Sequence, residues 1–199
     1  MPTNVSAPAI RDAVRQMFDR VAETPGAPYR FQVGPELARA VGYPDEVLRS
    51  LPPAASESFT GLAFLHPRLG LRCGEHVLDL GCGAGLDALI VDGAVSPDGS
   101  VTGLDVSDAM VSKAREIART VAAAHVRFER GEAEAMPFAD ATFDAAYANG
   151  VFNLCPDKRA VASELLRVLK PEGRAVVAEI TFTNPLPPRE VRSVDDWFR

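Results

Sequence analysis

The stretch HVLDLGCGAGLDALIV, residues 76–91, passes from an apolar run through an aspartate and three spaced glycines into a helical pattern. A strand ending at Asp79 and a helix opening near Leu86 leave Gly81, Gly83 and Gly85 in the turn between them. Glycine lets a backbone bend sharply and approach a ligand with no Cβ in the way. A tight strand-to-helix turn can also want glycine for steric reasons alone. A nicotinamide fingerprint, G-x-G-x-x-G, would need its third glycine where Leu86 stands, so a dehydrogenase is disfavoured.

Working outward, β-rich runs alternate with helical ones. Strands are predicted at HVLDLG, SVTGLDV, VRFERG, FDAAYAN and RAVVAEI, with helices near Leu86 to Asp92, Asp108 to Ala123 and Lys158 to Leu169. This rhythm predicts an α/β fold, a doubly wound, mostly parallel sheet with right-handed crossovers and helices on both faces. Ligands of such sheets bind at the carboxyl ends of the strands. Asp79, Asp105, Glu132 and Asn149 fall at four successive strand ends. Each alone is also readable as a helix cap or a solvated loop residue. Asp105 follows the glycines by about twenty residues, the spacing at which a carboxylate accepts hydrogen bonds from ribose hydroxyls.

Residues 1–70 read as an N-terminal helical cap and 71–199 as the ligand-binding domain. In AIRDAVRQMFDRVAE, Ile10, Ala13, Val14, Met17, Phe18 and Val21 recur at helical spacing up to the Pro25-Gly26 break. PELARAVG and PDEVLRSL, each opening on proline, predict two shorter helices. The cap either completes the core or forms a lid over the site.

The chain has 199 residues, enough for one domain of ordinary size with an appendage. Its net charge of -6 argues against nucleic acid or an anionic membrane as partner and favours a small molecule. Cys73, Cys82 and Cys155 form no CxxC pair, and His66, His76 and His125 have no metal-ligand spacing, so free thiols and no metal are expected. Neither a secretory leader nor a bilayer-length apolar run is read, which makes a cytoplasmic location the expectation.

VLDLGCGAG, GLDVS, GEAEAMPF, FDAAYANGV and LLRVLKPEGR, in that order, resemble the class I S-adenosylmethionine-dependent methyltransferases over roughly residues 74–180. The resemblance implies a Rossmann-like fold and S-adenosyl-L-methionine as cofactor. It implies that Asp79 with Gly81, Gly83 and Gly85 holds the methionine portion, and that Asp105, followed by Val106, grips the ribose. Met110 would pack near the adenine, with Glu132 and Ala133 at its edge. Asn149, at the end of the fourth strand, is the candidate for both a cofactor-binding residue and the catalytic group, an orienting hydrogen-bond partner near the donor. Methyl transfer from a sulfonium is an in-line displacement that needs orientation and exclusion of water more than a strong acid or base. Tyr29 and His66 are further candidates near the donor, although His66 also reads as a satisfied buried histidine. Asp87 would face the donor's ammonium or simply stabilise the helix N-terminus.

ELARAVGYPDEVLRSLPP, GCGAGLDALI and NGVFNLCPDKRAVASELLRVLKP resemble more closely the arsenite methyltransferase group and its bacterial relatives. Members that methylate arsenic hold it by cysteine thiolates, because soft sulfur suits a soft metalloid. Here no cysteine stands in ESFTGLAFLHP, Gly150 takes the place after the fourth strand, and the third family cysteine would fall beyond the chain's end. Cys155 reads as a small buried apolar residue. The expected acceptor is a small molecule, and arsenite itself is disfavoured. The alternative is a non-catalytic cofactor-binding or assembly module derived from a methyltransferase. The sheet is expected to lack its last strands, leaving AVVAEI as an apolar edge to be covered either by further residues of a longer natural protein or by a second copy in a homodimer.

Overall fold

The run HVLDL is apolar because it becomes the central strand of a sheet. In β1 (His76–Leu80) only His76 reaches solvent, as expected of a strand covered on both faces. The computed structural model describes residues 6–181. Within them β2 (Ser100–Asp105), β3 (Val126–Arg130), β4 (Phe143–Asn149) and β5 (Leu169–Ala178) join β1 in one all-parallel sheet ordered β3-β2-β1-β4-β5. The order of the strands reverses between β1 and β4, the chain winding outward to β3 on one side and to β5 on the other, so a crevice opens at their carboxyl ends.

The cap comprises α1 (Ala7–Glu23), α2 (Pro35–Ala40), α3 (Asp45–Arg49), α4 (Pro53–Glu57) and α5 (His66–Leu69). Ser6 caps α1, its hydroxyl accepting from the Ala9 amide. Neither α4 nor α5 was predicted from the sequence. Pro53 and Pro67 stand in the first turns of these helices, where proline costs no hydrogen bond, and Gly70 ends α5 in the left-handed region at φ 55°.

Then come α6 (Leu86–Val95), α7 (Asp108–Thr120) and α8 (Lys158–Val168). Alternation along β1 sorts the core into two layers. Val77 joins Val101, Phe128, Ala145 and Tyr147 beneath α6, α7 and the cap. Leu78 and Leu80 join Leu104, Phe143, Ala146 and Ala148 against Val161, Leu165 and Val168 of α8. The first layer is continuous from Val21 of the cap to Tyr147 of the sheet.

Three boundaries differ from expectation. α6 continues past Asp92 to Val95, and α7 stops at Thr120, where Ala122 takes a positive φ of 52°. LKPEG does not separate helix from strand. Leu169 already pairs with Phe143, the next residues bulge with Glu172 at φ 67°, and pairing resumes at Arg174 opposite Ala145. Among the described residues β5 pairs only with β4, and Val177 is exposed. The expected dimer would use this edge. The proline-rich run after the fifth strand, from residue 182 onward, lies outside the described residues, as do residues 1–5.

Candidate functional site

A cavity of about 780 Å³, measured out to its open mouth, lies at the carboxyl ends of the strands. Gly81, Gly83, Asp105, Val106, Met110, Glu132, Ala133 and Asn149 all line it. A second recess of about 380 Å³ adjoins it, sharing Thr60, Gly81, Gly83 and Asn149, and reaches Asp87 and Leu86 at the start of α6.

The three glycines of the turn do different work. Gly81 has φ 73°, and a Cβ there would collide with the Val151 side chain. Gly85 has φ 87° and its missing Cβ makes room for the Phe128 ring, so it serves packing and does not line the cavity. Gly83, at φ 51°, faces open space, with the Met110 sulfur 4.0 Å from where a Cβ would sit. Gly83 is thus the bare cradle in the floor. Gly81→Ala is expected to destabilise the fold by about 1–3 kcal/mol through overpacking. Gly83→Ala should cost only about 1 kcal/mol for its backbone conformation, while its new methyl group obstructs the cavity. Thermal melts and ligand titration of the two variants check this contrast.

Asp105 shapes the floor. Its Oδ2 accepts from the Gly83 amide and its Oδ1 from the Ser107 amide, each at 2.9 Å. Burial raises its pKa, and the Ser107, Gly83 and Val106 amides pull it back. Ser107 caps α7 by accepting from the Met110 amide at 3.0 Å, and its hydroxyl donates to Asp19 of α1 at 2.7 Å.

α1 roofs the cavity with Arg11, Val14 and Phe18, spaced i, i+3, i+7 and so on one helix face. Arg11 Nε lies 3.0 Å from Glu134 and 3.5 Å from Glu132. Glu134 is 7% exposed and also accepts from the Asp157 amide, whereas Glu132 is half-exposed. Arg11, Thr60, Glu134, Val151 and Leu154 were not anticipated. Val14 and Phe18 belong to the apolar stripe visible in the sequence and Arg11 stands one position from its Ile10, but nothing local distinguishes a residue that roofs a cavity from one that packs in the core or faces solvent.

Asp79 lies on the cap side of β1, level with Tyr147 of β4. It is 2% exposed, and its Oδ2, like the Tyr147 hydroxyl, is buried without a hydrogen-bond partner. Burial, then the nearby Asp87 carboxylate, pushes its pKa well above the carboxylate range. Asp87, in the first turn of α6, accepts from the Tyr43 hydroxyl at 2.5 Å and from Asn149 Nδ2 at 3.2 Å, and its Oδ1 meets His66 Nε2 at 2.8 Å. His66 is therefore a partly buried histidine whose Nε2 is held by Asp87, its ring stacked on Phe64. Burial and Asp87 push the Tyr43 phenol far up.

Two expectations are corrected. Tyr29 does not reach the cavity; its hydroxyl donates to the Arg20 and Thr24 carbonyls and ties down the end of α1. The Asn149 side chain was expected to address an acceptor, but its hydrogen bonds go to the cap: Oδ1 accepts from the Leu62 and Ala63 amides and Nδ2 donates to the Ala63 carbonyl.

The thiols are scattered. Cys73 is exposed, Cys82 belongs to the cap-side core layer, and Cys155, lining the cavity, lies in the opposite layer with its pKa pushed up to about 12 by burial. Among the described residues no group of histidine, cysteine, aspartate and glutamate could hold a metal ion, and no helix is long and apolar enough to cross a membrane.

Residues 71–199 match the family model described as a methyltransferase domain, and the chain belongs to that family. In sequence it is similar to an arsenite methyltransferase of Halobacterium salinarum, 42% identical over 130 residues, or 60% of this chain and 33% of that protein. An O-methyltransferase of Penicillium expansum is 37% identical over 121 residues, 60% of this chain and 43% of its own. Among solved structures, an arsenic(III) S-adenosylmethionine methyltransferase from Chlamydomonas reinhardtii matches 72% of this chain and 48% of its own, at 33% identity and a TM-score of 0.55. The chain spans less than half the length of each of these relatives.

Proposed function

We propose that this chain binds S-adenosylmethionine and directs its methyl group to a small-molecule acceptor. The observation that carries the reading is Asp105, a carboxylate at the tip of β2 that stands in the cavity beside the bare backbone of Gly83. Among the described residues, those from 71 to 181 supply the floor and those from 6 to 70 the roof.

The residues present fit the cofactor. Gly83 is a cradle that a Cβ would fill, and Asp79 Oδ2 is a buried carboxylate oxygen still lacking a partner. Asp105 would accept from the ribose hydroxyls, Met110, Val106 and Ala133 would enclose the adenine, and Glu132 would meet its edge. Asp87, which lines the recess, would face the ammonium of the amino-acid end, while Asp79 lines neither void and would act from beneath as a nearby buried carboxylate. When bound, the donor supplies an already activated methyl group. The chain's own contribution is then orientation and dryness, through the Val14 and Phe18 roof and through Val151 over the glycine turn.

The acceptor end does not suit a metalloid. Gly150, at φ 81°, is covered by Leu62, whose Cγ lies 3.3 Å from where a Cβ would be. Cys155 is the single thiol lining the cavity and is held protonated by burial, whereas soft metalloids need thiolates. Calorimetry with S-adenosylmethionine should show micromolar binding. Transfer of a labelled methyl group should then succeed with acceptors among small phenols and hydroquinones and fail with arsenite. Donor binding without transfer to any acceptor would favour a non-catalytic binding module; absence of donor binding would end the proposal.

A further inference from the structure

Asn149 closes β4, and every hydrogen-bonding position of its carboxamide is in use. Oδ1 accepts from the Leu62 amide at 2.7 Å and the Ala63 amide at 3.2 Å; Nδ2 donates to the Ala63 carbonyl at 2.9 Å and to Asp87 Oδ2 at 3.2 Å, with the Tyr43 hydroxyl at 3.3 Å. A carboxamide offers two acceptor sites and two donors, so nothing is left over for a ligand. The segment it grips, between α4 and α5, has neither helix nor strand. That segment passes so close that a Cβ at Gly61 would lie 2.6 Å from Asn149 Nδ2. It also forms the wall of both voids: Thr60 lines the cavity and the recess, and Leu62 stands over Gly150.

We propose that Asn149 is a positioning residue, the latch that holds residues 60–63 of the cap down on the strand tips, so that filling the site and closing this wall are one event. The coupling to filling rests on the donor reading; the latch itself does not. Asparagine is required for an electrostatic reason. Aspartate has the same shape and keeps both acceptor contacts, but it loses both donors and sets a second carboxylate against Asp87 and a lone pair against the Ala63 carbonyl. Pairing Asn149→Asp with Asp87→Asn exchanges amide and carboxylate and restores a donor between the two positions.

Amide hydrogen exchange of the full chain, read by NMR at Leu62, Ala63 and Gly83, tests the latch. Exchange at Leu62 and Ala63 should quicken by about tenfold or more in Asn149→Ala, where both amides lose their acceptor, and should also quicken in Asn149→Asp, where repulsion from Asp87 and the Ala63 carbonyl lifts the segment off the strand tip. The Gly83 amide, bonded to Asp105, should stay protected. The paired exchange should return Leu62 and Ala63 toward their original protection. Addition of S-adenosylhomocysteine should slow exchange at both positions in the unmodified chain but not in Asn149→Ala. Unchanged exchange in Asn149→Asp, or no recovery in the paired variant, overturns the latch. Should both single variants fail to fold, recovery of folding in the paired variant supports it and failure of that variant too sinks it. Calorimetry that finds no ligand binding to the unmodified chain would remove the donor reading and the coupling, while exchange in the unliganded variants still decides the latch.

Discussion

Asp105→Ala is expected to lower the affinity for S-adenosylmethionine by more than about a hundredfold, as read by calorimetry. Its carboxylate is the group proposed to hold the ribose, and it also fixes the cradle by accepting from the Gly83 and Ser107 amides. Hydrogen bonds to charged groups contribute roughly 1.5–3 kcal/mol, and each 1.4 kcal/mol is about tenfold in binding. Alanine removes the ligand contact and loosens the turn together, so the loss should exceed what one missing contact gives. Asp105→Asn separates the two effects. Its oxygen can accept from one amide, but its NH2 then confronts the other, so an intermediate loss is expected. Affinity in Asp105→Ala within about threefold of the unmodified chain, well inside one factor of ten, would place the donor elsewhere.

Asp79→Asn is expected to do the reverse to the fold and to the site: it should raise thermal stability near pH 8 and weaken donor binding. Burial and Asp87 hold the Asp79 pKa well above its unfolded value. A group shifted upward favours the folded state fully while both forms are protonated, and that contribution is lost as pH rises through the folded pKa. The unmodified chain should therefore lose stability from the ordinary carboxylate range upward, and the variant should lack that slope. Asparagine has the same shape, carries no charge, and brings an NH2 that can meet Tyr147 or Asp87. Relief of one unsatisfied buried polar group is about 1–3 kcal/mol, or a rise in melting temperature of about 5 °C for a chain of this size. Melts across pH 5 to 8 read the difference, which should widen with pH. A variant less stable than the parent at pH 8 would contradict the account.

The framework was legible because its signals are local. The unbroken apolar run of β1, the glycine turn and the acids closing β1 and β2 follow from residues adjacent in the chain, and the parallel sheet follows from their rhythm. Glu132 and Asn149 likewise stand at the strand ends where the sequence puts them. What each side chain does there was less legible. Asn149 looks free in sequence because the amides it captures, those of Leu62 and Ala63, lie more than eighty residues away. Gly85 reads like Gly83, yet only the tertiary position of Phe128 shows that it serves packing. Tyr29 read as a site residue for its chemistry, but a phenol also suits the open carbonyls at a helix end. The short cap helices escaped because proline signals a break and a first turn equally well.

The floor and the roof of the cavity are made from different parts of the chain. The floor at Gly81, Gly83 and Asp105 is held mainly by main-chain groups, Gly81 and Cys82 both donating to the Leu104 carbonyl. The roof consists of side chains, Arg11, Val14, Phe18 and Leu62, carried on the cap. Over evolutionary time the two parts answer to different constraints. A floor written in backbone limits few neighbouring side chains, so it can be inherited intact through long divergence. A roof written in side chains can be redrawn one substitution at a time without rebuilding the platform beneath.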